Sequence, residues 1–168
     1  MLYGAIAAEA RAQPARLDPC VAYCAGLLRC VGLMILERAG RSRGSTAPVY
    51  SALQWPDYAA WETAVFGISS TEVTSVLLDE WNFRSEVSRA IRHHDVRDPG
   101  DHAHRMTVLL NVANGMAQFV SRSFLGENAL WKITPEKLQA AGLKEEDFEG
   151  AIANTESSFD EAIAALSH

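Results

Sequence analysis

Apolar positions recur every three or four residues along almost the whole chain and show no convincing alternation with period two. The pattern therefore predicts helices and no strand. One segment opens at Asp18-Pro19, an N-cap followed by proline at the first helical position, and Gly40 can close its far end. Between Asp18 and Glu37 the only charged residue is Arg29. A helix apolar nearly all round belongs inside a protein, so this segment is expected to be the buried, central helix. Residues 40–56 are rich in Gly, Ser and Pro and read as a long loop.

Pro56-Asp57 then opens a short helix with Tyr58, Trp61 and Val65 on one face, stopped by Gly67. Ser69 and Glu72 have the spacing of a capping box, in which each side chain bonds the other's orphan backbone N–H. The helix behind that box is expected to present Val73, Val76, Leu77 and Trp81 as its apolar stripe, with Asn82 as a left-handed stop. Phe83, Val87 and Ile91 line the next helix, which ends at His93-His94. Pro99-Gly100 marks a turn, a long helix is expected over residues 102–124, and Gly126 ends it. Thr134-Pro135 starts a short helix closed by Gly142. Glu145, Glu146 and Asp147 suit the positive end of a last helix that buries Phe148, Ile152, Phe159, Ile163 and Leu166. The sum is an all-α fold, about eight helices with short connections in one irregular multi-helix bundle spanning residues 1–168.

Charge changes this picture only by exclusion. The formal net charge is -6, and the densest basic run, Arg38, Arg41 and Arg43, lies beside Glu37 in the loop region. A nucleic-acid partner is not expected. No uninterrupted apolar run, residues 30–36 included, approaches a membrane span, and no positive residue precedes the apolar N-terminus, so neither a membrane partner nor a secretory signal is expected. Cys20, Cys24 and Cys30 share one apolar segment without a Cys-x-x-Cys spacing. They read as buried reduced thiols in a cytoplasmic protein.

Five short segments carry the candidate chemistry. In chain order they are Ala25-Gly26-Leu27-Leu28-Arg29-Cys30-Val31-Gly32, then Phe66-Gly67-Ile68-Ser69-Ser70-Thr71-Glu72-Val73, then Leu77-Leu78-Asp79-Glu80-Trp81, then Ala90-Ile91-Arg92-His93-His94, and then Ala113-Asn114. This order resembles the HDOD domain, the HD-related output domain of bacterial signalling proteins and a relative of the HD and HD-GYP phosphohydrolases. That family typically reads Ala-Gly-Leu-Leu-His-Asp-Ile-Gly, Phe-Gly-x-x-His-x-Glu-Val, Leu-Leu-x-x-Trp, Ala-Ile-x-x-His-His and an Ala-Asp on a helix. The resemblance covers residues 1–125, and residues 126–168 are expected to be a helical tail packed on the rest. It also implies a further helical bundle before this point, so the chain is expected to be a shortened member or a fragment.

The resemblance implies an HD-type bundle, but the metal-ligand positions differ. Catalysis there needs an adjacent His and Asp, a distant His and a later Asp, which hold divalent metals that activate water and neutralise phosphate. Here Arg29 and Cys30 stand at the His-Asp pair, Ser70 at the middle His, and Asn114 at the late Asp. A guanidinium keeps its proton and repels a metal, and no histidine precedes His93. No catalytic residue, metal or cofactor is therefore expected, and Arg29, Cys30, His93, His94 and Asn114 mark a vestigial pocket.

Blander roles stand beside each of these. His93 and His94 close a helix, one as a cap and the other packed inward. Arg29 can bind an anion, pair with a buried carboxylate, or run its stem along the core. Trp55, Trp61, Trp81 and Trp131 read most simply as packing. Residues 93–104 hold His93, His94, Asp95, Asp98, Asp101, His102 and His104, which suit a solvated loop, or a rebuilt metal site. The implied function is a non-catalytic regulatory domain acting on a protein partner, a second copy of itself included. The helix of Trp61 and the loop before it are the expected exposed apolar surface. The alternative is a metal-dependent phosphohydrolase rebuilt around residues 93–104.

Overall fold

Side-chain caps fix where the helices begin. In the computed structural model, which describes residues 1–42, 49–51, 53–55, 57–100, 104–120, 130–148 and 150–167, Asp18 accepts the amide N–H groups of Cys20 and Val21 at the start of α2 (Pro19–Leu28). Asp57 caps α4 (Tyr58–Phe66), and Ser69 and Glu72 form the reciprocal box at the head of α5 (Ser70–Glu80). Thr134 caps α8 (Pro135–Ala141). The remaining helices are α1 (Leu2–Ala12), α3 (Val31–Ser42), α6 (Ser85–Arg92), α7 (Arg105–Phe119) and α9 (Ala151–Leu166). Gly67 and Gly142 end their helices in the left-handed conformation, as does Asn82 with φ 55°. Among the described residues there is no strand, and the protein is all-α.

The expected single helix over residues 18–40 is two helices. The chain turns at Arg29-Cys30 between α2 and α3. The cause lies far away in sequence: Thr74 Oγ1, on α5, accepts the Gly32 N–H at 2.8 Å and so caps the head of α3 from outside. A Cβ at Gly32 would come within 2.0 Å of the Ser70 carbonyl oxygen, so α3 and α5 can meet this closely only at a glycine. By length and composition Pro19–Arg41 would also pass as a membrane-crossing stretch, with a mean hydropathy of 1.8. Here it lies partly inside the bundle, and Met34 and Ile35 of α3 are exposed.

The central helix is α7. Every residue from Met106 to Ala117 is buried. α1 packs against it and also meets α2 and α9. The α1–α2 contact is made by small side chains: Ala5, Ala8, Ala22 and Ala25 are fully buried, and a Cβ at Gly26 would lie 2.6 Å from the Ala5 Cα. Backbones come this close only where the side chains between them are small.

Other expectations shift for similar reasons. The buried face of α5 is Thr74, Ser75 and Leu78, while Val76 and Trp81 point to solvent. Polar positions face inward because they are bonded there: Ser75 and Ser88 hydroxyls meet at 3.1 Å, Ser88 donates to Asp79 at 2.6 Å, and Arg92 Nε donates to Ser75 at 2.7 Å. Phe83 precedes α6 and is exposed. Of the helix expected over 102–124, Arg105–Phe119 is seen, and 102–103 and 121–124 lie outside the described residues, as does Gly126. Glu145–Asp147 form a separate 3-10 turn, and α9 starts only after Gly150, whose φ is 74°. Ile163 and Leu166 at its end are exposed. Of the cysteines only Cys30 is buried, with Cys24 half-buried and Cys20 exposed, and all three are free thiols.

Candidate functional site

The α2–α3 turn, one face of α4, the head of α5 and the segment after α6 enclose a cavity of about 120 Å³. Arg29, Cys30, Ser70 and His94 of the expected set line it. His93 does not; it is exposed beside a second, open groove. Asn114 sits in the middle of α7, buried against α1, where its Oδ1 would be 2.9 Å from a Cβ at Gly4.

One residue of this wall was not expected. Glu62 is 1% exposed. Its Oε2 accepts the Ser70 N–H at 2.7 Å and the Ser70 hydroxyl at 2.8 Å, so one carboxylate oxygen satisfies the orphan amide at the head of α5. Its Oε1 is buried with no hydrogen-bond partner among the described residues. Burial pushes the Glu62 carboxyl above its ordinary value; the two Ser70 contacts oppose this and the neighbouring Asp95 adds to it. The available signal was that Glu62 is the only charged residue of α4.

Arg29 caps α2 through its backbone, and its guanidinium carbon lies 5.6 Å from the centre of the Trp131 ring, within cation–π range. Its Nε is buried and makes no hydrogen bond to a described residue. Trp131 also stacks on His94, with ring centroids 5.4 Å apart. Burial holds His94 below its ordinary pKa, with Arg29 acting in the same direction and Asp95 against it. Its Nδ1 is 2.6 Å from the Ile91 carbonyl oxygen, an acceptor that calls for an N–H there, and its Nε2 is 3.7 Å from Asp95 Oδ1.

Trp131 is held from behind. Lys137, 1% exposed, donates through Nζ to Asn111 Oδ1 at 2.8 Å and to the Leu130 carbonyl at 2.6 Å. Asn111 Nδ2 in turn donates to the backbone carbonyls of His94 and Leu130. Burial pushes the Lys137 amine down to about 8. α8 thus braces both the His94 loop and the ring that covers Arg29.

The HD metals fit this wall poorly. Arg29 cannot ligate a cation, the Ser70 hydroxyl is committed to Glu62, and Asn114 is not on the cavity lining. Among the described residues no group of three His, Cys, Asp or Glu is placed to hold a metal. The second groove gathers Asp57, His93, Asp95, Asp98 and His104, but with Arg89 and Arg97 among them. Asp101 and His102, expected near that groove, lie outside the described residues.

The helical part of the expected apolar surface is placed differently. Trp61 is buried in an aromatic cluster, 4.9 Å from Tyr58, 6.1 Å from Tyr50 and 5.8 Å from Phe66 between ring centroids. In the loop before α4 Val49 and Leu53 are exposed, and further exposed apolar side chains stand on the adjoining α3, on α5 and at the C-cap of α5: Met34, Ile35, Val76 and Trp81. Of the preceding loop, residues 43–48, 52 and 56 lie outside the described residues.

Comparison with protein families matches the HDOD domain over residues 2–96, more than half of the 168. No curated protein and no solved structure matches the chain.

Proposed function

This chain belongs to the HDOD family, and we propose that it is a non-catalytic regulatory domain that works by contact with another protein. The observation that carries this is the wall of the cavity. At the positions where a catalytic relative needs metal ligands stand a guanidinium resting on Trp131 and a hydroxyl bonded to Glu62. A fixed positive charge there disfavours a divalent cation, and it lies against Trp131, which itself stacks on His94. Rigidity and surface remain as the useful properties, and the exposed apolar side chains of α3 and α5 favour a protein partner. The free thiols Cys20, Cys24 and Cys30 suit a reducing, cytoplasmic setting.

Two measurements test this. The purified protein is expected to turn over no phosphodiester or phosphomonoester with Mg, Mn, Fe or Ni. Stoichiometric metal by elemental analysis, with turnover that disappears in His93→Ala or His94→Ala, would overturn it in favour of a phosphohydrolase rebuilt near residues 93–104. A photo-crosslinker placed at Met34 or Trp81 in cells is expected to give one discrete adduct, with a partner or a second copy. Adducts from neither position, nor from any other exposed face, would end the interaction reading.

A further inference from the structure

We propose that the cavity between Arg29 and Glu62 binds a small zwitterion of the free amino-acid class, its carboxylate at Arg29 and its ammonium at Glu62. The inference rests on the non-catalytic reading, because a metal at this position would fill the same space.

Two buried polar atoms of opposite character lack partners on this wall: the Arg29 Nε donor and the Glu62 Oε1 acceptor. Natural proteins rarely leave such atoms unpaired, and a pair of them on two residues that line one cavity points to something that supplies both complements. One ligand with an anionic acceptor and a cationic donor does so. Both side chains are already oriented. The second oxygen of Glu62 is fixed by two bonds from Ser70, at 2.7 and 2.8 Å, and the guanidinium lies over Trp131. Little side-chain freedom remains to be lost on binding.

The other wall groups narrow the class. Asp95 adds a second carboxylate beside Glu62, which favours an ammonium and repels a phosphate or a dicarboxylate. Tyr58, Leu33 and Ala59 supply an apolar side suited to a short side chain. The volume, about 120 Å³, is close to that of an engineered cavity that holds one benzene, too small for a nucleotide. The lining comes from four places in the chain, so a molecule bridging Arg29 and Glu62 ties α4 to the α2–α3 turn and to exposed α3. That links occupancy to the surface proposed to meet a partner.

The test is a panel of the free amino acids at millimolar concentration, followed by thermal shift and by tryptophan fluorescence, with acetate, methylamine, inorganic phosphate and cytosine as controls. At least one amino acid is expected to raise the melting temperature and change the fluorescence saturably, with acetate and methylamine each ineffective alone. Glu62→Gln, which still accepts from Ser70, and Arg29→Gln are each expected to weaken binding about tenfold or more. Ala59→Phe fills the cavity and is expected to abolish binding with the helical spectrum intact. The proposal fails if no amino acid binds the unmodified protein, if phosphate or cytosine binds in their place, or if binding survives both Glu62→Gln and Ala59→Phe. Stoichiometric metal in the purified protein would instead sink the non-catalytic reading on which it rests.

Discussion

Among the described residues Glu62 and Lys137 are the two charged side chains that the fold buries most completely, and neither declares itself in the sequence. Glu62 at least stands alone as a charge in α4, whereas Pro135-Glu136-Lys137-Leu138 reads as an ordinary surface turn of helix. What buries Lys137 is a pair of acceptors, Asn111 and the Leu130 carbonyl, that sequence spacing does not connect. Both residues make stability depend on pH in a definite direction. The Glu62 carboxyl is raised in the folded state, so its contribution is fully present below 4.5 and is lost as pH rises through the folded value. Glu62→Gln should flatten that decline in urea titrations taken at stepwise pH; an unchanged slope would mean the burial of Glu62 has no energetic consequence. For Lys137 the amine falls from 10.5 to about 8, so the unfolded chain holds the proton more tightly between those values. Stability should therefore rise with pH across that window and be level below it, and Lys137→Met should remove the rise.

At the scale of elements, what was legible is what is local. The caps Asp18, Asp57, Ser69 and Thr134, and the left-handed stops Gly67, Asn82 and Gly142, all act within a few residues of the helix they end, and each is where the sequence places it. The break between α2 and α3 was not legible, because its cap is Thr74, 42 residues away. The inward face of α5 was hidden for the same reason: Thr74 and Ser75 are polar, and only their partners on α3 and α6 make burial favourable. The Arg29 side of the cavity was signalled by the departure from the family pattern, while the Trp131 cover came from a segment where no motif pointed to it. Two substitutions separate local from distant caps. Ser69→Ala should cost about 1 kcal/mol, as for an ordinary N-cap. Thr74→Val keeps the shape but leaves the Gly32 N–H buried without an acceptor, and should cost about 1–3 kcal/mol. Chemical denaturation of the two variants side by side measures the difference. Equal losses would show that the α3 cap is no more than local.

The whole molecule is larger than the part that carries its family likeness. The match ends at residue 96, yet the helix on which α1, α2, α6 and α8 all pack is α7, Arg105–Phe119. Tyr3 and Ala7 of α1 and Val87 and Ile91 of α6 belong to the same buried cluster as Met106, Leu109, Val112 and Met116. Remove the chain from α7 onward and those side chains face water, together with the α1 surface that meets α9. Each large side chain so exposed forfeits about 1.5–3 kcal/mol of burial, and a few of them together exceed the 5–15 kcal/mol by which a domain is ordinarily stable. Polar bonds fail as well, since Asn111 on α7 is what receives Lys137 and holds the His94 carbonyl. A chain ended after residue 96 is therefore expected to keep helical signal from α1 to α6 without fixed packing. It should melt without a cooperative transition and bind a hydrophobic dye, while the full chain melts sharply and does not. A sharp, dye-free transition in the shortened chain would show that α1–α6 form a core of their own, and that α7 is an addition to the fold and not its centre.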